Sequence, residues 1–221
     1  RIRQEREARY QQQLDDWKEA VKEWEAAGKK GKKPEKPKKP KEIEDVAYEK
    51  LESLPNLPPH WAYCTFGAIL AVSSGASLIA SKMTGGEYQV YGGNGVCGFH
   101  NQYIFENPKL IIGRVGAKCG VVHITKPKSW VTDNALVADF LIQNYDEVFF
   151  QLLLGFFDLN KLSVSTAQPV VSGAKLNPLP IPLCSLPEQK EIVRCLETQF
   201  EAIEQNEREI DAALERAEAL R

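Results

Sequence analysis

At both ends of this 221-residue chain, apolar side chains return at alternating intervals of four and three. The first 27 residues hold no Gly or Pro, and there the repeat runs Tyr10, Leu14, Trp17, Val21, Trp24. In the last segment it runs Ile192, Leu196, Gln199, Ile203, Asn206, Ile210, Ala213, Ala217, Leu220. Such spacing keeps one face of an α-helix apolar and gives that face a need for a helical partner. At about 1.5 Å per residue the two helices are roughly 40 and 50 Å long. The first offers bulky Trp17 and Trp24, the last small Ala213 and Ala217. The spacing therefore predicts an antiparallel two-stranded coiled coil. Leu14, Trp17, Val21 and Trp24 form one side of it, and Ile192, Leu196, Ile203 and Ile210 the other. Gln199 and Asn206 weaken the seam and fix its register. Gly28 is a natural stop for the first helix. Ser185 caps the last, with Pro187 in its first turn and Glu188 three residues on.

The net charge of −2 conceals a partition. Lys29 to Lys41 holds eight lysines and one acid, Glu35, for a net +7. Glu188 to Arg221 has a net −5, and His60 to Pro187 a net +1. In "KKGKKPEKPKKPKE" proline blocks helix and lysine repulsion extends the chain. The segment reads as a mobile, solvated spacer, with electrostatic attachment to a polyanion as its functional reading.

A strand-rich domain begins near "LPNLPPHWAYCTFGAIL". Its short apolar runs, "EYQVYGG", "QYIF", "KLIIGRVG", "GVVHIT" and "NALVADFLI", are punctuated by Gly, Asn and Pro. "EVFFQLLLGF" reads as a short apolar helix, and "SVSTAQPVVSGAKLNPLPIPL" as loop with one or two strands. Within "YGGNGVCGFHNQY", Gly93, Gly95 and Gly98 spell G-x-G-x-x-G. A dinucleotide fingerprint needs a helix opening on the glycines and an acid about 20 residues later. Here an aromatic, β-prone run follows, and Cys119 to Ile124 holds no acid. The glycines fit a hairpin turn better, with Asn-Gly supplying positive φ angles.

Catalytic signatures are thin. There is no G-x-x-x-x-G-K-[ST], H-E-x-x-H or G-x-S-x-G. "NPLP" lacks the aromatic that an amino-methyltransferase places after Asn-Pro-Pro. Asp133 reads as a turn residue. Cys64, Cys97, Cys119, Cys184 and Cys195 show no C-x-x-C spacing, and with His60, His100 and His123 scattered among them a zinc site is not expected. They read as small buried hydrophobes in a reducing cytoplasm. No run of 18 apolar residues marks a membrane span. Arg1 in first place and Met83 as the only methionine make the chain read as a piece of a longer one.

Five stretches in order carry a resemblance: "IRQEREARYQQQLDDWKEAVKEWEAAGKKGKKPEKPKKPKE", "LPPHWAYCTFG", "VYGGNGVCGFHNQYIFENPKLIIGRVGAKCGVVHI", "WVTDNALVA" and "LNPLPIPLCSLPEQKEIV". Together they resemble the specificity subunit of type I restriction–modification systems, from its central helical region through its second target-recognition domain to its closing helix. The chain departs from that pattern in two places. Cys184-Ser185 stands where the family usually carries Pro-Pro, and one recognition domain is present where a complete subunit has two.

The resemblance implies a non-catalytic chain that selects double-stranded DNA while partners act. Methyltransferase subunits would carry S-adenosylmethionine, and a restriction/translocase subunit would use ATP and Mg. No cofactor or metal is expected on this chain, and no membrane. The expected fold is α+β: helix 1–28, a Lys/Pro-rich linker 29–58, a recognition domain 59–185 and helix 186–221. DNA-contacting candidates are Tyr91, Asn94, Gly95, His100 and Asn101 at the Gly-rich turn, whose lack of Cβ atoms admits close backbone approach. Arg114 suits a guanine edge, Lys118, Lys126 and Lys128 suit phosphates, and Gln168 and Lys175 are further candidates. Other readings stay open: Gly92 to Gly98 only closing a hairpin and Arg114 only pairing with a carboxylate, a half-size subunit that homodimerises on a symmetric target, a coiled-coil interaction module, or a nuclease acting through Asp133.

Overall fold

The computed structural model describes residues 1–40, 42–163 and 169–219. The long first helix, α1 (Ile2–Ala26), leads through residues 27–47 to a short helix, α2 (Tyr48–Glu52). The domain then runs β1 (Ala62–Thr65), α3 (Phe66–Ile69), β2 (Leu70–Ser74), β3 (Tyr88–Gly92), β4 (Gly95–His100), β5 (Leu110–Gly113), β6 (Val122–Ile124), β7 (Trp130–Val131) and β8 (Ala135–Phe140). It closes with α4 (Glu147–Phe156), α5 (Gly173–Leu176), β9 (Pro180–Leu183) and the long α6 (Leu186–Ala219). The expected α+β class, with a long helix at each end of a strand-rich domain, is what the chain adopts. "QYIF" is no strand: only Phe105 bridges, to Ser129, because Asn107-Pro108 breaks the run.

A four-stranded antiparallel sheet, β2-β8-β5-β6, divides the domain. Its two central strands are apolar at every position but Asp139, which pairs with Lys109, because both faces are buried elsewhere. Leu110, Ile112, Leu136, Ala138 and Phe140 face the main core, with Phe66 and Ile69 of α3, Phe149, Phe150 and Leu154 of α4, and Val193 of α6. Ile111, Ala135 and Val137 face the other way, onto Tyr91 and Val131 of a second sheet, β4-β3-β7. In that sheet β3 is antiparallel to β4 and parallel to β7. A short β1-β9 pair joins the two ends of the domain.

The apolar helix α4 spans the residues its sequence marked, and Asp146 caps it by accepting from Phe149 N at 2.9 Å. The "LPEQ" stretch works differently from a capping box. Glu188 accepts from Trp61 Nε1 at 2.9 Å, while the fully buried Gln189 accepts from Asp146 N (2.9 Å) and donates to Cys184 O (3.2 Å). One amide thus ties the start of α4 to the end of β9. Two cysteines depart from the expected burial: Cys97 and Cys195 are exposed, while Cys119 and Cys184 are buried. Burial and the Ile181 carbonyl contact accompany a Cys64 thiol pushed up to about 12, with desolvation as the cause.

The two long helices each dock on the domain by their N-terminal turns, yet their apolar faces do not meet as expected. At the start of α1, Arg6 is buried and donates to Gly67 O and Ala68 O, and Arg9 donates to Phe140 O. Glu5 accepts from Gln143 N and from Asn144; burial raises its pKa, but these bonds and Arg1 outweigh it and hold the carboxyl below its ordinary value. Farther along, Trp17 Nε1 donates to Pro34 O (3.1 Å) and Trp24 Nε1 to Gly31 O (3.3 Å). The Lys/Pro segment, expected to be a mobile spacer, lies along α1 as a strap. Pro34, Pro37 and Pro40 are half-buried and the lysines between them exposed. A three-residue period is that of polyproline II, which puts every third side chain on one side. The strap satisfies the Leu14–Trp24 stripe locally, which removes its need for α6. On α6 every residue from 197 to 218 is exposed, Ile203 and Ile210 included. Leu220 lies outside the described residues.

Candidate nucleic-acid interface

The Gly-rich turn is a hairpin, but it faces inward. Gly92 pairs with Gly95 around a two-residue tip of Gly93 and Asn94. Only Gly95 takes a positive φ, +93°, so Asn94 does not supply the left-handed angle expected of it. The pattern is a turn followed by a bulge glycine. A Cβ on Gly93 would sit 2.9 Å from Asn134 O, and one on Gly113 only 2.2 Å from Gly93 O. One on Gly95 would meet the His123 ring at 3.4 Å. The missing Cβ atoms let the tip lie against the backbone of β5 and of the turn before β8, not against an outside ligand.

That placement sorts the candidate residues. Tyr91 is buried; its hydroxyl donates to Gln89 Oε1 (2.6 Å) and accepts from Lys126 N (3.0 Å). His100 is buried, edge-on to Trp130, with Nδ1 3.1 Å from Thr84 Oγ1. Gly95 is buried as well. These three hold the hairpin together. Lys175 is half-buried and donates to Val170 O (3.2 Å). Gln168 lies outside the described residues. Arg114 donates to Ser74 Oγ (3.1 Å) and to the Asp133 carbonyl (3.5 Å), so its partners are a hydroxyl and a carbonyl and no carboxylate. Asn94, Asn101, Lys118, Lys126 and Lys128 are exposed.

Lys126 and Lys128 converge with Glu87, Tyr88, Gln89 and Phe99 on an open cleft of about 490 Å³ at the end of the hairpin away from Asn94, where two cations face one acid. Phe99 is 46% exposed, unusual for a phenylalanine on a strand with a folded core beside it. Tyr103 extends the aromatic surface: its ring meets Tyr88 edge-on at 4.9 Å, and Lys128 Nζ lies 5.9 Å above it. Glu106 beside the Tyr103 hydroxyl raises its pKa, as Glu87 does for Tyr88. Cations, an amide and exposed rings in one cleft are the groups that meet phosphates, base edges and thymine methyls. Asn94 sits about 15 Å away along the hairpin at roughly 3.3 Å per residue. Lys118 borders a different cleft, with Phe157 and Asn160.

Phe99, Tyr103, Tyr88 and Gln89 were not among the candidates read from sequence. Their signal was the aromatic density of "GFHNQYIF" itself, which marks a strand equally well. Exposure separates the two meanings, and exposure depends on which side of the sheet the second core lies.

A family model described as the type I restriction modification DNA specificity domain matches residues 58–216, which is the span from β1 to near the end of α6. The chain belongs to this family. A relative, the type I restriction enzyme EcoprrI specificity subunit of Escherichia coli, is 30% identical over 139 residues, covering 60% of this chain and 34% of that protein. The chain thus spans about a third of that specificity subunit's length. Among solved structures, the S subunit of the type I system from M. genitalium matches with a TM-score of 0.58 at 19% identity, over 68% of this chain and 42% of that one. The HsdS subunit from Thermoanaerobacter tengcongensis matches at 0.52 and 17%, over 68% and 40%. A chain from a structure of the type I R-M system, reported for its complex assembly and conformational transition, matches at 0.56 and 16%, over 95% of this chain and 53% of that one. These three likenesses establish the specificity-subunit fold. No helix among the described residues is long and apolar enough to cross a membrane.

Proposed function

We propose that this chain recognises a DNA base sequence as the specificity module of a type I restriction–modification complex and brings methyltransferase and restriction subunits to one half of a bipartite target. The observation that carries this reading is the family match across the whole folded domain and most of α6. In this reading the chain is not itself catalytic. S-adenosylmethionine, ATP and Mg serve the partner subunits, and the complex works in the cytoplasm. The cleft of Gln89, Phe99, Lys126 and Lys128 is the part of the domain best suited to meet the duplex. Its lysines would hold phosphates while Gln89 and Phe99 approach base edges.

A selection tests this. The chain, with its methyltransferase partner, retains duplexes from a random library at low salt, and the retained pool is sequenced. One short motif is expected to be enriched. Phe99→Ala and Gln89→Ala should relax it, each by about 10- to 100-fold at a contacted base pair. Enrichment that survives those changes and is lost with Asn94→Ala, Asn101→Ala and Arg114→Ala would move the reading face to the hairpin tip. Partner binding without any motif would favour a helical interaction module.

A second reading, the half-size subunit that homodimerises, is favoured by one observation. Phe200, Ile203, Ile210 and Leu214 are exposed apolar residues along one side of α6, interrupted by Asn206 and Glu207. Sedimentation of the chain alone separates the two: a stable dimer supports self-pairing, and a monomer supports a partner helix from elsewhere in the complex.

A further inference from the structure

We propose that the lysine strap of residues 29–40, held against α1, is a second DNA-contacting element that grips the phosphate backbone of the duplex outside the bases the domain reads. It rests on the DNA reading above only for the identity of the polyanion. The family match begins at residue 58 and does not include the strap.

Four observations lead there. The strap is the most concentrated charge in the chain: seven lysines among its described residues against the single acid Glu35, which pairs with Lys32. It is also pinned. Trp17 and Trp24 donate to its backbone, and its prolines sit on α1 at every third residue. The lysines remain available to a ligand. Lys29 and Lys33 lie 5.9 and 6.0 Å above the Trp24 ring and Lys36 5.7 Å above Trp17, near the outer limit of a cation–π contact, and all are exposed. Finally, the rest of the chain lacks the charge to hold DNA, since the domain carries a net +1 and the last helix a net −5.

Geometry fits the ligand. Residues 28–31 form a turn, with Lys29 and Gly31 at positive φ, and the extended run that follows, residues 33–40, is roughly 25 Å long at about 3.1 Å per residue and presents an ammonium every 3 to 9 Å or so. A duplex strand carries a phosphate about every 3.4 Å of axis. A straight ridge meets such a repeating target without first being ordered, so less of its attraction is lost to entropy than for a flexible tail. The ridge does not end in solvent. Lys38 reaches a cleft shared by Arg9 and the domain residues Gly67 and Asp139, and Lys39 one lined by Arg3, Arg6, Glu7 and Glu42, so the strap ends against the domain where acids meet its charge.

The test uses the full chain and a labelled random-sequence duplex of about 40 bp, with affinity followed from about 50 to 200 mM salt. Lys30→Gln, Lys32→Gln, Lys33→Gln, Lys38→Gln and Lys39→Gln together should weaken binding at low salt by at least about 30-fold. They should also make the slope of log K against log salt shallower by about 3 to 4. The same five positions as Arg should restore both. Trp17→Ala with Trp24→Ala keeps the charge but frees the strap, and should weaken binding several-fold. Affinity and slope unchanged in the Gln variant would overturn the proposal, and unchanged affinity in the Trp variant would overturn the role of pinning. Loss of self-association by the Gln variant with DNA binding intact would also overturn it and give the ridge to an acidic helix of a second copy. A random duplex reports only this sequence-independent grip. Motif enrichment in the library selection reports recognition, so either can fail alone.

Discussion

At the residue scale, glycine and histidine set the limits of the hairpin. The G-x-G-x-x-G spacing attracts attention as a ligand loop, yet Gly93 is in backbone contact with Gly113 across the domain. Gly113→Ala would place a methyl carbon where the Gly93 carbonyl now sits, and neither backbone has room to retreat. We expect a loss of about 3 kcal/mol, read as a fall in the urea midpoint, since overpacking a tight site costs this much. His123 gives a pH signature. Its Nε2 is buried with no hydrogen-bond partner among the described residues, and burial lowers its pKa. The unfolded chain therefore binds this proton at a higher pH than the folded one. Stability attributable to His123 is intact above the unfolded pKa of about 6.5 and declines as pH falls below it toward the lowered folded value. Denaturation midpoints at pH 7.5 and 5.5 should diverge, and His123→Gln should shrink the difference.

At the element scale, the strap changes what the first helix is for. A 4–3 stripe with two tryptophans asks for a partner, and nearby chain supplies one before a distant helix does. Trypsin offers a direct reading. Its accessible bonds in the strap are Lys29–Lys30, Lys30–Gly31, Lys32–Lys33 and Lys38–Lys39, because a lysine before proline resists cleavage. Cleavage at these bonds should be slow in the native chain and at least about ten times faster in Trp17→Ala/Trp24→Ala, following the population of released strap. The sequence was read correctly where a single element could satisfy itself: α4 over Glu147–Phe156, the hairpin of β3 and β4, and the long helix opened at "SLPEQ". It was misread where the partner had to be chosen. Nothing in the spacing of Tyr10 to Trp24 states whether a helix or a polyproline strap will cover it, and Glu188 in a capping-box position is equally placed to meet Trp61.

At the scale of the whole molecule, α6 projects away from the domain with its apolar stripe uncovered, so it is the part of the chain built to meet something else. Ile203→Asp with Ile210→Asp should leave the domain's thermal midpoint nearly unchanged, because exposed substitutions cost within about 0.5 kcal/mol. The same pair should abolish association with a partner helix, by sedimentation of the mixed components. What the sequence alone determined is the class of the molecule: two long helices, a strand-rich domain between them, a charge partition, and five ordered stretches that mark the specificity family. Those follow from local periodicity and composition, which act within a few residues of chain. The tertiary structure decided which residues point outward. Tyr91, His100 and Gly95 are drawn inside by the second core under β3, and Phe99, Lys126 and Lys128 are left together outside it. One residue's step along a strand exchanges the two faces, and only the packing of one sheet on the other fixes which face is which.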